Sequence, residues 1–199
     1  TDGGLETSLI FLDSLYLPHF AAFPLLGTVE GRRALDDYFD AYVAVAARHG
    51  TGLVLESATW RANPDWGARL GYDATALDAV DRDAIAQLRA VQDRHRDAGV
   101  TVVVSGCVGP RGDGYVVHEA MTAEEAADYH GPQVRSFADA EADLVTAITM
   151  NSAAEGTGIV LAARDAGISV VISFTVETDG RLPSGESLSA AIATTDEAT

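Results

Sequence analysis

Apolar positions along the chain alternate between two spacings. From Leu35 to His49 they recur as Leu35, Phe39, Tyr42, Val43 and Ala46, the period of an amphipathic helix, with Asp36, Asp37 and Asp40 turned outward. Gly50 and Gly52 end that helix, and Leu53-Val54-Leu55 follows as a short buried strand with Glu56, Ser57 and Thr59 at its carboxyl end. A second helix spans Asp78 to Gly99 through Ile85, Leu88 and Val91, with an Arg/Asp/His surface opposite, and leads into a β-branched strand at Val100–Val104. Thr122, Glu124 and Glu125 start a third helix that runs to about Glu141, with Tyr129, Val134, Phe137 and Ala138 inward. Leu144–Ile148 is the next strand, and Ser152 to Gly167 the next helix. Val170-Val171-Ile172 has the composition of a strand buried on both faces, Ser173 and Thr175 place hydroxyls at its carboxyl end, and Glu186 to Ala198 is a last helix.

Strict alternation of strand and helix predicts an α/β fold with right-handed parallel crossovers. A doubly wound sheet and part of an eightfold barrel both fit. A polar, hydroxyl-bearing end on every strand favours the (β/α)8 TIM-barrel type, in which each strand contributes to one site. Thr1–Thr7 has the character of the polar exit of a strand whose apolar part precedes residue 1. Counting it, about five βα units are present, too few to close a barrel. The expectation is a single partial barrel domain over residues 1–199, truncated at both ends.

Composition narrows the chemistry. The apolar share of 47% is that of a soluble globular chain, and no apolar run approaches the length of a membrane span. A formal charge of −17 disfavours nucleic acid and anionic membranes as partners. All 13 basic residues are Arg, so Schiff-base chemistry on lysine is excluded for these residues. The single cysteine, Cys107, cannot form an internal disulfide, which fits a reducing compartment and a cytoplasmic location.

Candidate chemistry sits at strand ends. Gly3 and Gly4 allow close approach of a ligand to main-chain N–H groups, and Asp2 and Glu6 offer acceptors beside them; an acidic turn at a terminus accounts for the same residues equally well. Trp60 and Trp66 either wall a pocket or pack their loop against the barrel. Ser105–Tyr115 is a glycine-rich loop whose spacing matches neither a dinucleotide fingerprint nor a lysine-bearing phosphate loop. Arg111-Gly112-Asp113 within it is a tripeptide that arises readily by chance. His19, His49, His95, His118 and His130 lack metal-ligand spacing, and solvated or capping roles are expected for them. Glu177 is expected to be solvated.

Several runs, in order, resemble the homocysteine S-methyltransferase family of zinc-dependent barrel methyltransferases: Asp2–Thr7, Ser57–Pro64, Ser105–Pro110, Ala142–Thr149, and Ser173–Thr175 with Gly180, Leu182 and Gly185. The resemblance implies methyl transfer from a sulfonium-type donor to the thiol of homocysteine or a related thiol, held as a zinc-bound thiolate. Its partners would be two small molecules, a thiol amino acid and the methyl donor. Asp2 would accept from the substrate ammonium, the N–H groups around Gly3 and Gly4 would meet its carboxylate, and Ser57, Thr59, Thr149 and Ser173 would line the pocket. The family's zinc ligands, a cysteine after the sixth strand and a Cys-Cys pair near the eighth, are expected beyond residue 199, and Cys107 is expected to be a half-buried loop residue instead.

One departure bears on substrate. Many members carry an amino-binding glutamate at the position of Ile148, so either the substrate differs or amino binding is shared by Asp2, Glu6 and Glu56. The rival expectations are a barrel lyase or hydrolase working through Glu56 and Asp2, and a fragment with no complete site.

Overall fold

A computed structural model describes residues 1–116 and 120–198. Its centre is a parallel sheet of four strands, β1 (Leu53–Glu56), β2 (Val102–Val108), β3 (Leu144–Met150) and β4 (Ser169–Phe174), in the spatial order of the chain. Helices α4 (Ala74–Arg94), α5 (Ala123–Asp139) and α6 (Ala153–Ala166) supply the crossovers and, with α2 (Val29–His49), cover one face, while α7 (Leu188–Asp196) packs on α6. Two short helices were not expected: α1 (Leu5–Phe11) begins within the predicted polar strand exit, and α3 (Pro64–Arg69) falls in the predicted loop after β1. Both have local causes: Asn63 caps α3 through its side chain with Pro64 at the first helical position, and Gly4 precedes α1 in an extended conformation.

The expected helices are present, and two of them, α2 and α4, are longer at their starts. Thr28 caps α2 by accepting from Gly31 N–H, and Asp73 caps α4, so both begin several residues before their apolar stripes. Thr122 and Glu125 form a reciprocal capping box on α5. Where α5 and α6 touch, a Cβ at Gly158 would fall on Ala126 and the α5 backbone, so glycine sets that close approach.

The register divides the sheet into two faces. Leu55 pairs with Val104, and Gly106 with Val145, on the helix-covered face, where Leu55, Val104, Val145 and Ala147 are fully buried against Leu35, Phe39, Ile85, Leu88, Phe137 and Ile159. Each buried Leu, Val, Ile or Phe side chain here contributes roughly 1.5–3 kcal/mol. The other face carries Glu56, Ser105, Cys107 and Thr146, all buried, a polar row in the interior position of a barrel sheet.

Two strand expectations need correction. β4 is not buried on both faces: it is the edge of the described sheet, with Val170, Ile172 and Phe174 packed toward the core and Val171 51% exposed. β2 extends through Val108, so Cys107 is a buried strand residue and not a half-buried loop residue. The strand expected to precede residue 1 lies outside the described residues; Asp2 N–H donates to Val54 O (3.2 Å) and lays the first residues alongside β1. Among the described residues no helix is long and apolar enough to cross a membrane.

Candidate functional site

The polar face ends at the carboxyl end of the sheet, where Asp2, Glu6 and Glu56 converge. Asp2 is anchored there by its own N–H to Val54 O and by Glu56 N–H donating to its Oδ1 (3.2 Å). Tyr38 of α2 fixes the same segment by donating to Gly3 O (2.9 Å). Burial, reinforced by the neighbouring Glu56 charge, pushes the Asp2 carboxyl up to about 7. Burial likewise raises Glu6, against the pull of its backbone N–H and Arg61, and raises Glu56, against the Ser105 and Thr146 hydroxyls. Those two hydroxyls are bonded to each other (2.8 Å), and among the described residues both Glu56 carboxyl oxygens are buried without a hydrogen-bond partner. A buried acid left in that state calls for a ligand.

Cys107 lies among these acids. Burial, then the fields of Glu56, Glu6 and Asp2, push its thiol well above the usual value, so it stays protonated and is a poor nucleophile. Among the described residues no group of three or more His, Cys, Asp or Glu is placed to hold a metal ion.

The expected hydroxyl residues divide. Ser57 and Thr59 close a ring with β2: Cys107 N–H donates to Ser57 Oγ (2.9 Å), Ser57 to Thr59 Oγ1 (2.6 Å), and Thr59 to Cys107 O (2.7 Å). Their protons are committed to joining β1 to β2. Thr149 follows a register irregularity in β3 and has φ 62°, rare for a β-branched residue. Its Oγ1 accepts from Trp60 Nε1 (3.1 Å), which ties the β3 end to the loop after β1. Ser173 shares the polar face with Thr146 through the register of β3 and β4, and is exposed. Ile148 lies in the same row, half-buried. No hydrogen bond from the N–H of Gly3 or Gly4 is present among the described residues.

The two roles considered for the tryptophans are divided: Trp66 walls a cavity, and Trp60 packs its loop against the ends of β2 and β3. Arg61 stacks 4.8 Å from the Trp60 ring and 4.0 Å from the Trp66 ring, and its charge, opposed by burial, is supported by Asp113 and Glu6. Next to them is a cavity of about 490 Å3 whose walls include Trp66, Arg111, Gly112 and Asp113, the tripeptide set aside above. No sequence motif marks it, because its walls come from α3, the loop after β2 and the start of α6.

A buried pair behind that cavity also escaped the sequence. His130 is fully buried, against the solvated or capping role expected for it, and its Nε2 lies 2.9 Å from Glu155 Oε1. The same oxygen accepts from Arg111 N–H (2.7 Å). The other described histidines keep surface roles: His95 meets Asp40 (2.8 Å) at the end of α4, His49 is in the exposed last turn of α2, and His19 lies against Trp66 with its carbonyl on Arg61. His118 lies outside the described residues. Glu177 is exposed, as expected.

The profile of the family described as homocysteine S-methyltransferase matches residues 1–199, the whole chain. Among solved structures, the metallated form of the homocysteine methyltransferase MmuM from Escherichia coli superposes with a TM-score of 0.78 at 22% identity, covering 98% of this chain and 69% of that one. The oxidized form of the same protein gives 0.77 at 23% identity over 97% and 67%, and the apo form 0.66 at 20% over 94% and 64%. At these identities the likeness establishes the fold, part of a methyltransferase barrel. No curated protein matches by sequence.

Proposed function

The chain belongs to the homocysteine S-methyltransferase family, and from that premise we propose that its polar sheet face binds the thiol amino acid, homocysteine or a close relative, that accepts a methyl group. The observation that carries this is the Asp2–Glu56 pair: two adjoining buried carboxyls, one of them with both oxygens unpartnered among the described residues. A substrate ammonium supplies the donors and the positive charge that such a pair lacks. Glu6 adds a third acid, so the amino group finds its counter-charge without a glutamate at Ile148. The main-chain N–H groups of Gly3 and Gly4, which make no hydrogen bond among the described residues, are the donors this reading gives to the substrate carboxylate. Ser57 and Thr59 hold the strands that carry these groups, and Thr149 and Ser173 border the pocket at the ends of β3 and β4.

The transfer balances as follows. The acceptor's thiolate lone pair forms the new S–C bond, the C–S bond of a sulfonium donor breaks with its electrons returning to the donor sulfur, and a neutral thioether leaves. The described residues do not fit the zinc ion associated with the family: Cys107 is buried with its thiol pushed well up, and no group of three or more His, Cys, Asp or Glu is placed to hold the ion. No step is assigned to a metal here.

In the full-length protein, Glu56→Gln is expected to raise KM for homocysteine roughly tenfold or more, the loss of one charge-assisted contact, with a smaller change in kcat. Steady-state kinetics at saturating donor measures this. An unchanged KM would remove Glu56 from amino binding.

A further inference from the structure

The carboxyl end of β3 holds a bulge. Ala147 pairs with Ile172 and Met150 with Phe174, so three steps along β3 face two along β4, and Ile148 and Thr149 together oppose Ser173. The bulge places one residue in the left-handed region. Thr149 takes that place with φ 62°, the only β-branched residue of positive φ among the described residues. A branched Cβ is crowded there, and glycine is not. The chain therefore carries a strained threonine where glycine would sit without strain, and strain of this kind points to a role for the side chain.

Its hydroxyl is engaged on both sides: Oγ1 accepts from Trp60 Nε1 (3.1 Å) and donates to Ile148 O (2.5 Å). The indole it holds sits in a slot lined by the loop after β2. A Cβ at Gly109 would lie 2.8 Å from the Trp60 ring, and one at Gly114 would lie 3.4 Å from that ring and 3.2 Å from Thr149 Oγ1. Phe20 meets the ring edge-on at 6.3 Å, and the Arg61 guanidinium covers it at 4.8 Å. Thr149 is thus the polar end of a pin that joins the ends of β1, β2 and β3, and its second bond ties the pin to the bulge peptide. Ile148, half-buried, follows Thr146 on the interior face. The Thr146 hydroxyl is bonded to that of Ser105 (2.8 Å), the register partner of Glu56. Through Ile148 the bulge reaches the wall of the acid cluster.

We propose that Thr149 is a positioning residue for the acceptor: its strained, hydroxyl-pinned conformation holds the Ile148 side chain beside the acid cluster as a fixed wall, and so sets the length of thiol amino acid that the site accepts. The word acceptor rests on the binding function proposed above; the pin rests on the bulge and the bond to Trp60. Thr149 acts through Ile148 and Trp60, since its proton is committed to Ile148 O. Without the pin the bulge can shift, and a wall that yields discriminates poorly between chains one methylene apart.

The test uses the full-length protein with homocysteine and cysteine as acceptors, at saturating S-methyl-L-methionine or S-adenosyl-L-methionine. Thr149→Val keeps the branched shape and loses the hydroxyl, Thr149→Gly loses both hydroxyl and strain, and Thr149→Ser keeps the hydroxyl. The preference for homocysteine over cysteine in kcat/KM is expected to fall roughly tenfold in Thr149→Val and Thr149→Gly, chiefly through KM. Thr149→Ser should hold it within about threefold of wild type. Exchange of the Trp60 indole N–H, assigned with Trp60→Phe, should be roughly tenfold faster in Thr149→Val and Thr149→Gly, the loss of one hydrogen bond. Thr149→Gly should melt no lower than Thr149→Val, because the strain leaves with the Cβ; a lower melting temperature would remove the strain from the argument and overturn it. A preference within about twofold of wild type in Thr149→Val and Thr149→Gly, or one that falls in step with melting temperature in all three variants, overturns the positioning role. Faster indole exchange in a protein that methylates neither thiol would keep the pin and refute the acceptor function. Methyl transfer to homocysteine with the preference unmoved would do the reverse.

Discussion

If the acid pair binds the acceptor's amino group as proposed, Asp2 and Glu56 set the pH behaviour of that binding. A carboxyl held at about 7 is half protonated near neutrality, and a protonated Asp2 gives an arriving ammonium less charge to meet. Ammonium binding favours the ionised form, so affinity is weak below pH 7, climbs as pH passes through 7, and levels off above it. KM for homocysteine is therefore expected to fall between pH 6 and pH 8, and Asp2→Asn is expected to flatten that dependence while raising KM throughout. A profile with the same inflection in Asp2→Asn would assign the titration to another group. Asp2 was legible in the sequence as a strand-end acid, and Glu56 as its neighbour in space through the sheet. What was not legible is that Ser57 and Thr59 spend their protons on Cys107: hydroxyls at a strand end look alike whether they face a ligand or another strand.

Between elements, the helix layer contains polar groups that amphipathic spacing assigns to solvent. Asp81 of α4 sits at the seam with α5, 1% exposed, with Gln133 Nε2 3.4 Å from its Oδ1. Burial raises its pKa well above the usual value, against that bond and with Asp78 adding to the rise. The sign follows from linkage: a carboxyl whose folded pKa exceeds its unfolded one costs nothing below about pH 4, and its cost grows as pH rises toward the folded value. Asp81→Asn keeps an acceptor for Gln133 and removes the charge. It is expected to stabilise the protein by about 1–3 kcal/mol at pH 7, with the gain vanishing near pH 3, as read by urea unfolding at both values. The helix and strand pattern was legible because each crossover buries one stripe. Asp81, His130 and Glu155 were not, because polar residues that pair inside a seam follow the same period as residues that face water. β4 was misjudged for the converse reason: Val170 and Ile172 are covered by α6, whereas Val171 between them faces the open side of the sheet.

At the scale of the whole molecule, charge is the term that conditions change most easily. The chain carries 30 acidic side chains against 13 arginines, an excess of 30 − 13 = 17 carboxylates when all are ionised. The arginines are largely engaged, several across helices, so these attractions are local, while the surplus carboxylates repel one another over longer distances. Salt screens both, but unequally. A contact pair near 3 Å is well inside the screening length of about 10 Å at 0.1 M, whereas the net repulsion acts over a distance comparable to it. Raising ionic strength therefore removes more repulsion than attraction. Thermal unfolding at pH 7 is expected to move upward by a few degrees between 10 mM and 300 mM sodium chloride, the shift of roughly 1 kcal/mol for a chain of this size. At pH 5, where Asp2 holds its proton and the net charge is smaller, the same change in salt should have less effect. A melting temperature that falls with salt at pH 7 would mean that the interhelical Arg–Asp pairs outweigh the surplus charge.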